Sequence, residues 1–108
     1  MMAKTPFLLR GHARADLVAI RKYTIETWGN DQWLSYKKIL LQKLQSLADH
    51  PEMGIQLKDV ADNAYRFPLK DQVVYYLKRK SDVVIVGILS NSMAPEQHLL
   101  RQQDLTQD

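Results

Sequence analysis

From His12 onward the apolar positions of the chain recur every three or four residues: Ala13, Leu17, Ile20, Tyr23 or Thr24, and Trp28, with Arg14, Asp16, Arg21, Lys22 and Glu26 falling mostly between them. That spacing lays one apolar stripe along a helix. Gly29 follows, suited to close the helix because it reaches positive φ without a Cβ penalty, and Asn30 is then expected to cap a second helix with its side-chain oxygen. The second helix carries Trp33, Tyr36, Leu40, Leu44 and Leu47 on one stripe, broadened by Ile39 and Leu41. It ends at Ala48-Asp49-His50-Pro51, since a residue before proline is pushed out of the α region. A connector this short requires an antiparallel helical hairpin.

Elsewhere the pattern is β-like. Phe7-Leu8-Leu9-Arg10 is too brief for a helix, is stopped by Gly11, and predicts a first strand at a sheet edge. Residues 52–64 lack clean periodicity and predict a loop with a brief strand at Ile55 to Leu57. Three runs of β-branched and aromatic residues then follow, 65–69, 73–77 and 83–89, joined at Lys70-Asp71-Gln72 and Lys80-Ser81-Asp82. They predict an antiparallel meander. Pro95 can open a short C-terminal helix carrying Leu99 and Leu100. The expected fold is α+β in a single domain, 1–108: an N-terminal strand, an antiparallel helical hairpin, a three-stranded antiparallel meander forming a small twisted sheet, and a short C-terminal helix.

The last two strands do not alternate apolar and polar residues, as an antiparallel sheet with one wet face would. Strict alternation places Val73, Tyr75 and Leu77 opposite Val74 and Tyr76, and Val84, Val86 and Ile88 opposite Val83, Ile85 and Leu89. One helical hairpin covers one face. The other needs cover from the C-terminal segment or from another protein, because each exposed aliphatic side chain forgoes roughly 1.5–3 kcal/mol. The expectation is a second apolar face offered to a partner.

Composition narrows the class. The chain is 45% hydrophobic and 25% charged, which suits a globular protein, and no run approaches the roughly 18 apolar residues of a membrane span. There is no cysteine, hence no disulfide or thiolate metal site, and the absence of a signal-like start makes the cytoplasm the expected compartment. The net charge of +3 is too mild to indicate sequence-specific nucleic-acid binding. No HExxH, CxxC, GxGxxG or GxxxxGK[ST] pattern occurs, so neither a metal nor a nucleotide cofactor is expected.

The string ARADLVAIRKYTIETWGNDQWLSYKKILLQKLQSLADHPEMG, followed by YRFPLKDQVVYYLKRKSDVVIVGILSNSM, resembles a ParE-type toxin of the RelE/ParE superfamily. The resemblance runs from about Leu9 to Leu99. It is carried by the Ala-Asp-Leu start of helix one, the Tyr-Thr and Trp-Gly that close it, Tyr65-Arg66, Tyr75-Tyr76, and Ile88-Leu89 before Met93. It implies a small sheet on a helical hairpin and a cognate ParD-like antitoxin that wraps the toxin as an extended or helical segment. For the ParE branch it implies DNA gyrase as the inhibited target and growth arrest as the outcome; for the RelE branch, ribosome-dependent cleavage of messenger RNA. The strand ending Ile88-Leu89 often continues with histidine in this family, and here the position is Ser90, a departure that adds a non-toxic interaction domain of the same fold to the alternatives.

A ribonuclease needs a base, cations for the phosphate and an acid for the leaving oxygen. The available set is Arg66, Lys70, His98 and Arg101, and no catalytic set is favoured, since a lone histidine in an amphipathic tail is more often a surface residue. His12 and His50 stand at helix boundaries. The residues expected to face the target are Arg66, Lys70, Lys78, Arg79 and Lys80, although Lys78-Arg79-Lys80 also reads as a solvated hairpin tip. Those expected to meet the antitoxin are Arg66, Tyr75, Val84, Val86 and Ile88. Arg66 either anchors an acidic partner or satisfies a loop carboxylate such as Asp62. Trp28, Trp33 and Tyr36 are expected to pack in the core where the helices turn.

Overall fold

The computed structural model describes residues 5–90. Its elements are β1 (Phe7–Leu9), α1 (Ala13–Trp28), α2 (Asn30–Asp49), a 3-10 turn (Pro51–Met53), β2 (Ile55–Gln56), β3 (Ala64–Pro68), β4 (Gln72–Lys78) and β5 (Val83–Ser90). The helix expected from Pro95 lies outside the described residues. Both helices and the meander form where the periodicity places them.

Gly29 is the whole connector between the helices. It adopts φ 97°, and its N–H donates to the Ile25 carbonyl at 2.9 Å. Asn30 does not cap: it is the first residue of α2, and no side-chain cap bond is made there. A cap residue must sit outside the helix with extended dihedrals, and a one-residue connector leaves that position to Gly29.

The sheet is larger and less uniform than a meander. Five strands lie in the order β1-β5-β4-β3-β2. The short β2 pairs antiparallel with β3, and β1 takes the opposite edge in parallel register with β5, Phe7 against Val83 and Leu9 against Ile85. The helices pack on each other and on one face, α1 against β5 and α2 against β1.

The decisive irregularity is a bulge. Tyr76 pairs with Ile85 while Tyr75 pairs with Gly87, so Val86 is an extra residue on β5. An inserted residue shifts the alternation of everything after it. Ile88 therefore sits with Val74, Tyr76, Val83 and Ile85 under the helices, packed with Ala13, Leu44, Leu47 and Ala48. Leu89 moves to the far face, with Val73, Tyr75, Leu77, Val84 and Val86. Strict alternation had exchanged Ile88 and Leu89.

The far face is not an open apolar surface. Val84, Val86 and Leu89 are each 2% exposed, and Val73, Tyr75 and Leu77 each 7%. Leu57, Val60 and Ala61 pack against this cluster, brought there by a turn in which the Val60 and Ala61 amides donate to the Leu57 carbonyl. A segment without helical or strand periodicity thus supplies apolar cover to the far face among the described residues.

The 3-10 turn is fastened to the sheet by Tyr76, whose hydroxyl donates to the Pro51 carbonyl at 2.6 Å and whose ring stacks on Tyr65 at 5.5 Å. Gly54 makes this possible. A Cβ there would collide with the Tyr76 hydroxyl and lie 2.8 Å from the Arg66 carbonyl oxygen. Gly54→Ala is expected to cost about 2 kcal/mol, as overpacking against backbone does, read from the urea midpoint. Burial pushes the Tyr76 hydroxyl up to about 12, with the Gly54 backbone opposing and Tyr65 and Glu52 adding to the rise. The folded state thus favours the neutral phenol, and stability should fall as pH rises from about 10 to about 12, by at most about 1.4 kcal/mol per pH unit from this group. Tyr76→Phe should flatten that segment of a stability-against-pH curve.

Candidate functional site

One groove opens beside α1, with a volume of about 850 Å³. Ile20, Tyr23, Thr24 and Trp28 of α1 form one wall, Gln32 and Tyr36 of α2 lie at its end, and Lys70, Asp71, Gln72 and Ile88 to Ser90 form the other side. The wall follows from helical spacing, since positions 20, 24 and 28 share a face of α1. Its far end is open. Trp28 is 69% exposed and Tyr23 64%, whereas Trp33 is buried. Of the three aromatics expected in the core at the helix turn, Trp28 is therefore outside it. Periodicity located its stripe correctly and could not show that the packing partner gives out before the stripe does.

Two polar ties fix the groove. The Ile88 amide donates to Asp16 Oδ2 at 2.8 Å, joining α1 to β5 immediately after the bulge. The Tyr36 hydroxyl donates to Gln72 Oε1, joining α2 to the start of β4. Burial raises the Tyr36 pKa and the Asp71 charge adds to the rise, with the Gln72 bond acting in the opposite direction. Tyr36 is a neutral donor at physiological pH.

The cations expected to act together are dispersed. Lys70 is exposed and lines the groove. Lys78 begins the β4–β5 turn at the other end of a seven-residue strand, about 20 Å away at strand spacing. Lys78 is paired with Glu52, which lowers the carboxylate's pKa and raises that of the ammonium. Arg79 grips Asp82 through a two-pronged bond, Nε at 2.6 Å and an outer nitrogen at 2.8 Å, which closes the hairpin. Lys80 is exposed at the tip.

Arg66 occupies the face away from the helices, because it pairs with Tyr75 while its neighbours Tyr65 and Phe67 pack on the helix side. It is partly buried, and it forms no ion pair with Asp62. Of the alternative catalytic set, Arg66 and Lys70 therefore lie apart, on the far sheet face and in the groove, and His98 and Arg101 lie outside the described residues. Of the residues expected to meet an antitoxin, Tyr75, Val84 and Val86 share the face of Arg66 but are buried, and Ile88 lies beneath the helices. Among the described residues no group of three or more His, Cys, Asp or Glu could hold a metal ion, and no helix is long and apolar enough to cross a membrane.

Trp28→Ala should leave stability within about 0.5 kcal/mol of the parent, as substitutions at exposed positions do. Leu44→Ala, on the buried face of α2, should cost about 2–5 kcal/mol. Thermal melts of the two variants distinguish groove lining from core.

Comparison with known proteins agrees with this geometry. Residues 7–95 match the family described as the ParE toxin of the type II toxin-antitoxin system parDE. The chain is 31% identical over 94 residues to Toxin ParE1 of Caulobacter vibrioides, covering 87% of this chain and 97% of that protein. Its fold matches a solved chain of the chromosomal ParDE TA system from P. aeruginosa with a TM-score of 0.66 at 15% identity, over 81% of this chain and 96% of the other.

Proposed function

This chain belongs to the ParE toxin family of type II toxin-antitoxin systems, and from that premise we propose that it arrests growth by binding and inhibiting DNA gyrase in the cytoplasm. A cognate ParD-type antitoxin holds it inactive. The observation that supports a binding rather than a cleaving mode is the separation of the cations among the described residues: Arg66 and Lys70 lie on different surfaces, and Lys78 and Arg79 are neutralised by Glu52 and Asp82. A phosphodiester in its transition state needs converging charge and a proton shuttle.

In this reading the groove beside α1 faces the target, with Trp28 and Tyr23 as apolar anchors and Lys70 at the rim. Exposed aromatics next to a cation are the usual makings of an interface hot spot. Lys80 adds steering charge at the hairpin tip. The antitoxin meets the Arg66 face at its margin, where Ile55 and Pro68 are accessible, since Tyr75, Val84 and Val86 are closed.

A plasmid supercoiling assay with purified protein tests the target. Inhibition is expected, with restoration on adding the antitoxin; normal supercoiling at saturating toxin would remove gyrase, and cleavage of messenger RNA on translating ribosomes would replace it with the RelE-like activity. Trp28→Ala combined with Lys70→Glu is expected to weaken inhibition at least about tenfold, the usual scale for losing an aromatic anchor together with a rim charge.

A further inference from the structure

Resting on the antitoxin pairing above, we propose that Arg66 is the docking point for a side-chain carboxylate of the antitoxin, presented by an extended segment that adds to the open edge of β2.

The strand register defines the site. Ile55, Arg66, Tyr75 and Gly87 lie in one row across β2, β3, β4 and β5, on the face away from the helices. Arg66 is the only charged residue of that row. Tyr75 is buried beside it, and Ile55 is 49% exposed on its other flank. A partly buried guanidinium with apolar neighbours is poorly solvated and calls for an anion.

The chain supplies none among the described residues. Glu52 is held by Lys78 and Asp82 by Arg79. The preceding loop carries two acidic residues, Asp59 and Asp62; Asp62 presents its backbone carbonyl to Gln56 at 2.6 Å, and neither makes an ion pair with Arg66.

The same row identifies the kind of partner. A nucleic-acid backbone requires several cations along its path, and the row offers one cation between apolar side chains. An acidic side chain alternating with apolar ones fits better. β2 is the last strand of the sheet, with no described strand beyond it. A segment pairing there directs every second side chain to the Arg66 face, so a carboxylate can reach the guanidinium while its neighbours two residues away cover Ile55.

The test is calorimetric titration of the full chain with its cognate ParD-type antitoxin. The parent is compared with Arg66→Lys, Arg66→Met and Arg66→Glu, and with Arg14→Met on the exposed surface of α1 as control; equal urea midpoints establish that all are folded. Arg66→Met is expected to weaken binding about 30-fold, and Arg66→Glu more. Arg66→Lys should weaken it about tenfold, because an ammonium lacks the two-pronged geometry. Arg14→Met should bind as the parent does. Binding of all three Arg66 variants within twofold of the parent would overturn the Arg66 assignment and leave the antitoxin pairing intact. Failure of the parent to bind the antitoxin would overturn both. A change in the oligomeric state of the antitoxin-free Arg66→Met chain would assign the row to a second copy of the toxin and overturn the proposal.

Discussion

The pairing of β4 with β5 is the constraint on which the molecule depends. These are the longest strands among the described residues, each buried on both faces, and the other strands are placed by reference to them. The extra residue at Val86 decides which side chains the helices receive. With the bulge, Ile88 turns toward α1, and its amide meets Asp16. Without it the end of β5 would offer Leu89 to the helices and Ile88 to the far face, and the rows across the sheet would no longer match.

The bulge also lies between the two surfaces to which we assign function. Past it, the end of β5 contributes to the groove beside α1, which an exposed tryptophan and tyrosine line together with a lysine. On the opposite side the row through Gly87 carries Arg66 at the open margin of the sheet. A toxin must meet a target and be silenced by another protein. In the proposed reading, two unlike surfaces on one small sheet, one aromatic and concave, the other an edge with a cation lacking a described counterion, give each partner a different chemistry to recognise.

Charge is used sparingly in this arrangement. Lys78 and Arg79 look like a basic cluster when the sequence is read in order, yet each is matched by a carboxylate brought close in space, Glu52 from the 3-10 turn and Asp82 across the hairpin. Exposed pairs of this kind add little stability. Their effect is to remove two charges from the surface available to a partner, leaving Lys58, Arg66, Lys70 and Lys80 as the cations of the strand half that these carboxylates do not neutralise.

The two helices, their glycine hinge and the three main strands could be read directly, because each is set by local periodicity and by the turn residues between them. Arg66 could be picked out as a candidate too, since a guanidinium within an apolar strand is conspicuous in any register. The helix-capping role given to Asn30, the open apolar face and the side of Ile88 could not be read correctly. Each depends on a residue distant in sequence or on one inserted residue: Leu57, Val60 and Ala61 reach the far face only after folding, and the bulge at Val86 exists only against Tyr75 and Tyr76. The sequence by itself determined which segments become helix and strand, since those preferences act over a few neighbouring residues. Tertiary structure alone decided which face each apolar residue serves and which charges remain to be met, because burial and pairing are properties of contacts that the order of residues does not contain.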